Sequence, residues 1–266
     1  MLLNQEILRV KFYTMKSDTK VVAALACRVQ STRLYGKPLQ LLDIERNISI
    51  IDYLIAQLKS HQAINEVVLA ISEGTENEIF KEVARKHGLK YVIGDQIDVL
   101  GRLIQAGEKS GADIIFRTTS ENPFIYLDPL EDVLIQHKEN NTDYSYIAKL
   151  PRGAFFELIN LESLKRAHQK GQDRHRSELC VQYINENPKK FKIQKIFPQD
   201  KSLHRPDIRL TVDYPEDLIV AREAYSALKK KDGFVTVDEV ISFLDTHPEL
   251  NELNRWILTD KKRIWR

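Results

Sequence analysis

The sequence predicts an α/β fold built on a mostly parallel, doubly wound sheet. One observation is a series of short, unbroken apolar runs, which are typical of strands buried on both faces. The other is that these runs alternate with segments of helical spacing. Such alternation predicts right-handed crossovers with helices on both faces of the sheet. The 266 residues are enough for one large domain of this kind.

The first half of the chain contains four predicted strands with helices between them. Each strand is an apolar run, and the second helix ends at Gly88, a typical helix stop signal. The predicted strands span 21–26, 66–72, 89–93 and 113–118, and the predicted helices span 48–59, 75–88 and 98–110.

The second half of the chain is less regular. We interpret residues 151–200 as an inserted subdomain, whose last strand alternates in the manner of an antiparallel strand. A strand then returns to the sheet, followed by a helix with Pro215 in its first turn. The predicted strands span 143–148, 155–158, 191–197 and 207–212, and the helices span 128–139, 160–169, 174–185, 215–228 and 236–244.

Composition limits the class of partner and the compartment. The 40 basic and 38 acidic residues give a net charge of +2, which argues against a general nucleic-acid binder. Two cysteines provide neither a disulfide framework nor zinc-ligand spacing, so we expect a cytoplasmic protein. No apolar run approaches the roughly 20 residues of a membrane span. We predict a main domain over 20–255, a loosely ordered leader at 1–19 and a basic tail at 256–266.

The loop after the first strand combines positive charge with hydroxyl groups. A nucleoside triphosphate needs fixed donors and cations at the carboxyl end of a strand, so this loop is a candidate polyphosphate site. The alternative is a solvated basic loop, because no P-loop or glycine-rich dinucleotide pattern is present. The candidate residues are Arg28, Ser31, Thr32, Arg33 and Lys37.

Two acidic residues follow predicted strands at the same edge of the sheet. Glu121 comes shortly after the fourth strand, and Asp213 ends the strand at 207–212. Mg²⁺ prefers one or two carboxylates plus phosphate oxygens. Each residue alone also fits a helix cap or a turn. Their joint position beside the basic loop predicts a magnesium site.

Three short motifs of the chain carry a resemblance to a known family. Residues 27–39 read CRVQSTRLYGKPL, which is similar to A-R-x-x-S-T-R-L-P-G-K-P-L and departs from it at Cys27 and Tyr35. Residues 213–217 (DYPED) and 98–102 (DVLGR) resemble the family's D-T-P-E-D and D-V-L-D-R motifs. These motifs resemble those of cytidylyltransferases that make CMP-activated acidic sugars, including proteins similar to spore coat polysaccharide biosynthesis protein F and, more distantly, 3-deoxy-manno-octulosonate cytidylyltransferase. The resemblance covers roughly residues 20–255.

The resemblance implies a fold and an activity. It implies a nucleotide-diphospho-sugar transferase-like fold and transfer of CMP from CTP to an acidic sugar or phosphorylated acceptor, with release of pyrophosphate. It also implies a homodimer formed through 151–200. Glu121 and Asp213 would hold Mg²⁺, and Arg28 and Lys37 would be catalytic. The nucleotide would contact the basic loop together with Asp98 and Arg102, although Asp98 equally fits a helix cap.

Several site positions depart from the family pattern and keep other hypotheses open. Ser120 and Glu121 replace the usual Gly-Asp, and Gln30 stands where a glycine is usual. The relatives' Arg, His and Pro correspond to Ser177, Leu179 and Gln182 in a region that could read the acceptor. One alternative is a nucleotide-binding protein of the same fold with lost or altered catalysis. Another is a nucleotidyltransferase that uses a different base.

Overall fold

The computed structural model describes residues 19–259, so the predicted leader lies almost wholly outside the described residues and the basic tail beyond residue 259 lies outside them too. Within this range the chain forms one seven-stranded sheet and one two-stranded sheet. The strands are β1 (Val21–Cys27), β2 (Leu41–Asp43), β3 (Ile48–Ser49), β4 (Glu66–Ser72), β5 (Lys90–Gly94), β6 (Ile114–Arg117), β7 (Tyr144–Ile147), β8 (Glu157–Asn160) and β9 (Ile193–Ile196).

The large sheet is mostly parallel, as predicted. Its order is β5-β4-β1-β6-β8-β7-β9. Strand β1 lies between β4 and β6, and it pairs in parallel with both. Among the described strands of this sheet only β8 is antiparallel, and it pairs with β6 and β7. The parallel strands therefore bring the ends of β1, β6 and β7 to one edge of the sheet.

Helices cover both faces of this sheet. On β1, Val21 and Leu25 belong to one hydrophobic cluster and Val22 to the other, because side chains of a strand alternate between the faces. The helices of the described chain are α1 (Ile50–Ser60), α2 (Ile79–His87), α3 (Val99–Ser110), α4 (Leu130–Glu139), α5 (Leu161–Lys170), α6 (Gln182–Glu186), α7 (Pro215–Leu228), α8 (Val237–Thr246) and α9 (Pro248–Thr259). Helices α1, α2, α4, α7 and α8 pack in the first cluster, and α3, α5 and α6 pack in the second.

Two strand predictions in the second half were wrong. Strand β9 pairs in parallel with β7, whereas residues 191–197 were expected to pair antiparallel. An edge strand with one solvated face shows the same alternation in either direction. Residues 207–212 form no strand and make a single bridge, between Arg152 and Arg209. Their backbone is bonded to loops instead: the amides of Leu210 and Val212 donate to the carbonyl oxygens of Arg152 and Glu121 at 2.7 and 3.2 Å.

The helix predicted at 174–185 is interrupted. A short 3₁₀ turn spans Asp173–His175, and only Gln182–Glu186 is α-helical. Between them the hydroxyl of Ser177 donates to the carbonyl of Arg174 at 3.3 Å and accepts from the amide of Leu179 at 3.4 Å. Such local bonds offer the backbone an alternative to the helix.

The segment at 151–200 contributes directly to the large sheet. It supplies β8 in the interior of the sheet and β9 at its edge. A role for this segment in dimerisation stays a prediction. The final helix α9 was not predicted, and it packs against α7 and α8. No helix in the described part of the chain combines the length and apolar character needed to cross a membrane.

Candidate active site

A large cleft of about 2150 Å³ opens at the carboxyl edge of the parallel strands. Its walls come from the loops after β1, β6 and β7, from residues 178–186, from residues 209–214 and from α9. The structure brings most of the predicted site residues together here. The predicted residues that line the cleft are Arg28, Ser31, Thr32, Arg33, Lys37, Arg102, Glu121 and Asp213.

The loop after β1 is fixed by one backbone bond within the loop and by one bond to the side chain of Asn77. The amide of Gly36 donates to the carbonyl of Val29 at 2.8 Å, and the amide of Val29 donates to Oδ1 of Asn77 at 2.9 Å. Gly36 has a φ of 61°, a left-handed conformation that costs other residues about 1–2 kcal/mol. The closed loop fixes its own backbone while its cationic side chains extend into the cleft.

Three cations converge on the carboxylate of Asp213. Lys37 Nζ lies 2.6 Å and Arg33 Nη2 lies 3.2 Å from Oδ1, and Arg209 Nη2 donates to Oδ2 at 2.6 Å. Burial alone would raise the pKa of Asp213, but these cations hold it below its ordinary value. The carboxylate is therefore ionised and saturated by positive charge.

Glu121 lies beside Asp213 but in a different electrostatic environment. Its carbonyl oxygen accepts from the amide of Val212 at 3.2 Å, which joins the two acidic segments. Burial raises the pKa of Glu121, the Asp213 charge adds to this rise, and Lys37 opposes it. Glu121 forms no ion pair with any residue between 19 and 259. The neighbouring Ser120 hydroxyl donates to the carbonyl of Ala26 at 2.8 Å, which anchors this turn to β1.

This carboxylate pair fits a Mg²⁺ ion. Glu121 is partly buried and lacks a cation partner among the described residues next to an ionised carboxylate, which favours a divalent cation, although that cation would have to replace Lys37 and Arg33 at Oδ1 of Asp213. Residues 19–259 contain no group of three or more histidine, cysteine, aspartate or glutamate side chains arranged for a metal. Mg²⁺ commonly uses one or two carboxylates and takes its remaining oxygens from phosphates and water. Glu121 and Asp213 match that ligand set.

Asp98 and Arg102 have structural contacts that the sequence only partly predicted. Asp98 Oδ1 accepts from the amide of Gly101 at 2.7 Å, and Oδ2 lies 2.6 Å from Nε2 of His168, so Asp98 is the cap of α3. It is not among the described residues that line the cleft. Arg102 is only 1 % exposed, and its Nη1 donates to the carbonyls of Ala70 and Cys27 at 2.8 and 3.3 Å. It stabilises the ends of β4 and β1 beneath the cleft.

A buried polar network on β6, β7 and β8 forms another part of the cleft floor. Arg117 pairs with Glu157, and the Tyr144 hydroxyl donates to Oε1 of Glu157 at 2.5 Å. Burial and the Glu157 charge both raise the pKa of Tyr144. Arg117 also donates to the carbonyl of Glu178 at 2.8 Å. These groups satisfy each other, so they shape the floor and leave little free charge.

Arg152 is different because its charge lacks a partner. No acidic side chain within residues 19–259 pairs with it, and its pKa is lowered by burial and by the nearby Arg209 charge. Its backbone is fixed, since its amide donates to the carbonyl of Ile208 at 2.9 Å. Gly153 has a φ of 92°, and a Cβ there would lie 2.5 Å from the amide nitrogen of Thr211. The cleft therefore presents an unpaired guanidinium on a rigid backbone.

Two side-chain contacts connect the loop after β1 to other loops of the chain. Arg28 Nη2 donates to Oε2 of Glu178 at 3.1 Å, and both side chains remain largely solvent-accessible. Gln30, which replaces the usual glycine, accepts from Nδ2 of Asn77 at 3.4 Å. The side chain of Gln30 is thus bonded to a neighbouring loop as well as lining the cleft.

Several residues that build the site were not predicted from the sequence. Besides Arg152 and Arg209, the Trp256 side chain on α9 lines the cleft. The ring centroids of Trp256 and Tyr214 lie 5.5 Å apart, and the Arg33 guanidinium lies 5.2 Å from the Tyr214 centroid. Pro248 at the start of α9 was a usable helix signal. The contact of Arg209 with Asp213 requires the fold and had no comparable signal.

Comparisons with known proteins agree with this architecture. The sequence profile of the cytidylyltransferase family matches residues 22–264. The chain is 30% identical over 238 residues to the spore coat polysaccharide biosynthesis protein SpsF of Bacillus subtilis, covering 86% of this chain and 95% of that protein. A solved cytidylyltransferase of Leptospira borgpetersenii is 23% identical, with a TM-score of 0.78 and coverage of 87% and 96% of the two chains.

A more distant structure has the same fold. The CMP:2-keto-3-deoxy-manno-octonic acid synthetase, solved with CTP, is 14% identical, with a TM-score of 0.60 and coverage of 79% and 99% of the two chains. The profile match spans most of the chain, and the SpsF relative is aligned over nearly all of its own length. The chain therefore belongs to the cytidylyltransferase family.

Proposed function

We propose that this nucleotidyltransferase moves CMP from CTP to an acidic sugar or phosphorylated acceptor and releases pyrophosphate. The observation that carries the proposal is the convergence of loop cations and the Glu121 and Asp213 carboxylates at one edge of the sheet. The solved synthetase that binds CTP supports cytosine as the base. The SpsF relative supports a role in the biosynthesis of a surface polysaccharide or glycoconjugate.

The proposed reaction is an in-line displacement at the α-phosphorus. An acceptor oxygen forms the new P–O bond, the bond to the bridging oxygen of the β-phosphate breaks, and pyrophosphate leaves. Arg28, Arg33 and Lys37 bind and orient the triphosphate and stabilise its negative charge in the transition state. When bound by Glu121 and Asp213, Mg²⁺ would neutralise charge on the phosphate oxygens. The catalysis is positional and electrostatic, so no nucleophilic side chain is needed.

The unpaired charge of Arg152 supports an anionic acceptor. A guanidinium that faces the Arg209 charge and lacks an acidic partner is stabilised when a carboxylate or phosphate binds it. The exposed side chains of Phe155 and Leu179 also line the cleft and offer apolar contacts to an acceptor. A cytoplasmic homodimer remains part of the proposal.

A second candidate is a CTP-binding protein with lost or altered catalysis. It is favoured by the Asp213 contacts, because Lys37 and Arg33 occupy the carboxylate oxygen that a metal would need. The longer Glu121 side chain in place of aspartate adds to this, since Mg²⁺ tolerates little displacement of its ligands. The two candidates share CTP binding and differ in turnover.

The test is pyrophosphate release by the full chain with CTP, Mg²⁺ and a panel of acidic sugars and phosphorylated alcohols. We expect release that depends on one acceptor class and on Mg²⁺, and a thermal shift that ranks CTP above the other three nucleoside triphosphates. CTP binding without release across the panel would favour the second candidate. Failure to bind any nucleoside triphosphate would contradict both.

Glu121→Asp distinguishes a damaged site from a rebuilt one. If the longer side chain merely displaces the metal, aspartate restores the family geometry and raises the rate of pyrophosphate release. If the site is adapted to glutamate, aspartate lowers that rate. The Ser120 hydroxyl fixes this turn to β1, so the backbone cannot shift to compensate for the shorter aspartate side chain. We therefore expect the rate to fall. Glu73→Asp, at a position outside the cleft, is the matched control.

A further inference from the structure

The three cations on Asp213 are held in two different ways. Lys37 and Arg33 share Oδ1 and come from the loop after β1, and the Arg33 side chain is 37% exposed. Arg209 takes Oδ2 alone, and its side chain is 5% exposed. Lys37 is 11% exposed, but neither loop cation has a second acidic partner among residues 19–259, so a substrate phosphate can compete for both of them, whereas only a small part of Arg209 reaches the cleft.

Arg209 is fixed by a buried aspartate on the next helix. Its Nε donates to Oδ1 of Asp217 at 2.9 Å and its Nη2 donates to Oδ2 at 3.2 Å. Oδ2 of Asp217 also accepts from the amides of Asp213 and Tyr214, each at 2.9 Å. One carboxylate therefore fixes both the backbone of Asp213 and the side chain that holds the Asp213 carboxylate.

Helix α9 completes this arrangement through a buried amide. Asn254 is 1% exposed, and its Nδ2 donates to Oδ1 of Asp217 at 3.0 Å and to the carbonyl of Arg209 at 3.2 Å. Every oxygen of the Asp217 carboxylate thus has at least two donors. The contact of Asn254 with Asp217 therefore supports the carboxylate that fixes the Arg209 guanidinium next to Asp213.

We propose that Arg209 is a positioning residue for the metal-binding carboxylate. When a triphosphate takes Lys37 and Arg33 away from Asp213, Oδ1 becomes available to a cation, and Arg209 keeps Oδ2 in place. Without this fixed contact the freed carboxylate could rotate, and its geometry toward Mg²⁺ would be lost. The inference rests on the proposed function, because it takes the loop cations as triphosphate ligands.

The test compares CTP affinity with Mg²⁺ and in EDTA by calorimetric titration. The ratio of the two affinities measures the coupling between metal and nucleotide, and this ratio does not depend on turnover. Arg209→Lys keeps the charge but cannot bridge Asp217 and Asp213 with one planar fork. We expect the ratio to fall by about 10-fold to 100-fold, as for other residues that orient metal ligands, with the EDTA affinity unchanged.

The control is Arg205→Lys. Arg205 also bridges two aspartates, Asp207 and Asp245, but it lies outside the cleft. We expect wild-type values in both arms for this variant. If Arg209→Lys does not fold, Asn254→Ser removes only the outermost contact, and we expect the same ratio to fall by a smaller factor.

The other outcomes distinguish a failure of this inference from a failure of the proposed reaction. An unchanged ratio in folded Arg209→Lys means that Arg209 does not position the ligand. An equal fall in both arms means that it only supports the structure. If the wild-type protein shows metal-coupled CTP binding but no transfer to any acceptor, the proposed reaction fails and the ratio still tests Arg209. A wild-type protein that binds no CTP removes both.

Discussion

The two walls of the cleft carry similar charges in opposite physical states. On the wall formed by the loop after β1, Arg28 pairs with Glu178 through side chains that are 45% and 62% exposed. On the wall formed by residues 209–214, Arg209 and its partner Asp217 are 5% and 1% exposed. An exposed ion pair contributes little to stability and exchanges partners easily, whereas breaking a buried pair is costly.

On the proposed function, this difference separates cations that bind the triphosphate from cations that hold Asp213 in place. A side chain that must bind a triphosphate has to release its resting partner, so an exposed or shared contact suits it. A side chain that fixes a metal ligand must not exchange, so full burial with saturated hydrogen bonds suits it. The four predictions below test this division, starting with the largest expected effect.

The largest expected effect is a fall in kcat on substitution of Asp213, which contacts cations from both walls. Asp213→Asn preserves shape but removes the charge that Lys37, Arg33 and Arg209 share. Loss of several kcal/mol of charge stabilisation corresponds to a fall in kcat of about 10²-fold to 10³-fold. Pyrophosphate release in single-turnover mode measures it. CTP binding in EDTA should persist, since the loop cations remain, and loss of that binding would show that Asp213 acts only by holding the loop.

The second effect concerns stability on the buried wall. Asp217→Asn leaves the buried Arg209 guanidinium without its bidentate partner, so we expect the free energy of unfolding to fall by about 3 kcal/mol. Urea unfolding measures this change. The control is Asp43→Asn, because Asp43 is also buried but its partners Arg46 and Lys229 are 53% and 25% exposed and can be solvated. Equal losses in both variants would contradict the distinction between the walls.

The grouping of cations in the loop after β1 and the position of Asp213 were predictable from sequence, and the buried contacts around Arg209 were not. The loop residues Arg28, Arg33 and Lys37 lie within ten residues, directly after a strand, so their local pattern suffices. Arg209, Asp217 and Asn254 meet only because α9 packs on α7, and their contacts span up to 45 residues of sequence. A sequence pattern reports periodicity and nearby spacing, and it carries no information on which distant helix covers a polar group.

The fold followed the same rule. Strand β4 was predicted with its observed bounds, because an apolar run between two parallel neighbours is specified locally. Residues 207–212 looked equally apolar but are bonded to the loops at Arg152 and Glu121, so they form no strand. Whether an apolar segment forms a strand or an extended loop depends on its hydrogen-bonding partners. These partners are distant in sequence, so a local sequence pattern does not identify them.

The third effect is on CTP affinity at the exposed wall. Arg33→Ala removes one charge-assisted contact to phosphate, so we expect CTP binding to weaken by about 1.5–3 kcal/mol. Calorimetric titration in EDTA isolates this contact from the metal. Arg85→Ala removes an exposed arginine that pairs with Glu82 outside the cleft, and it should leave both CTP affinity and stability unchanged. An unaltered CTP affinity in Arg33→Ala would remove Arg33 from the triphosphate site.

The smallest expected effect has the most informative sign. Glu178 pairs with Arg28 at 3.1 Å, so it competes with any phosphate for that guanidinium. Glu178→Ala removes the competitor, and because an exposed pair is worth at most about 1 kcal/mol, CTP should bind about 2-fold to 5-fold more tightly. The gain should shrink as salt is raised, since salt screens the exposed pair. Glu82→Ala, which breaks the Arg85 pair, should change nothing. Weaker CTP binding in Glu178→Ala would mean that this contact holds Arg28 in its binding position. The Arg28–Glu178 pair would then support the site, as the Arg209–Asp217 pair does.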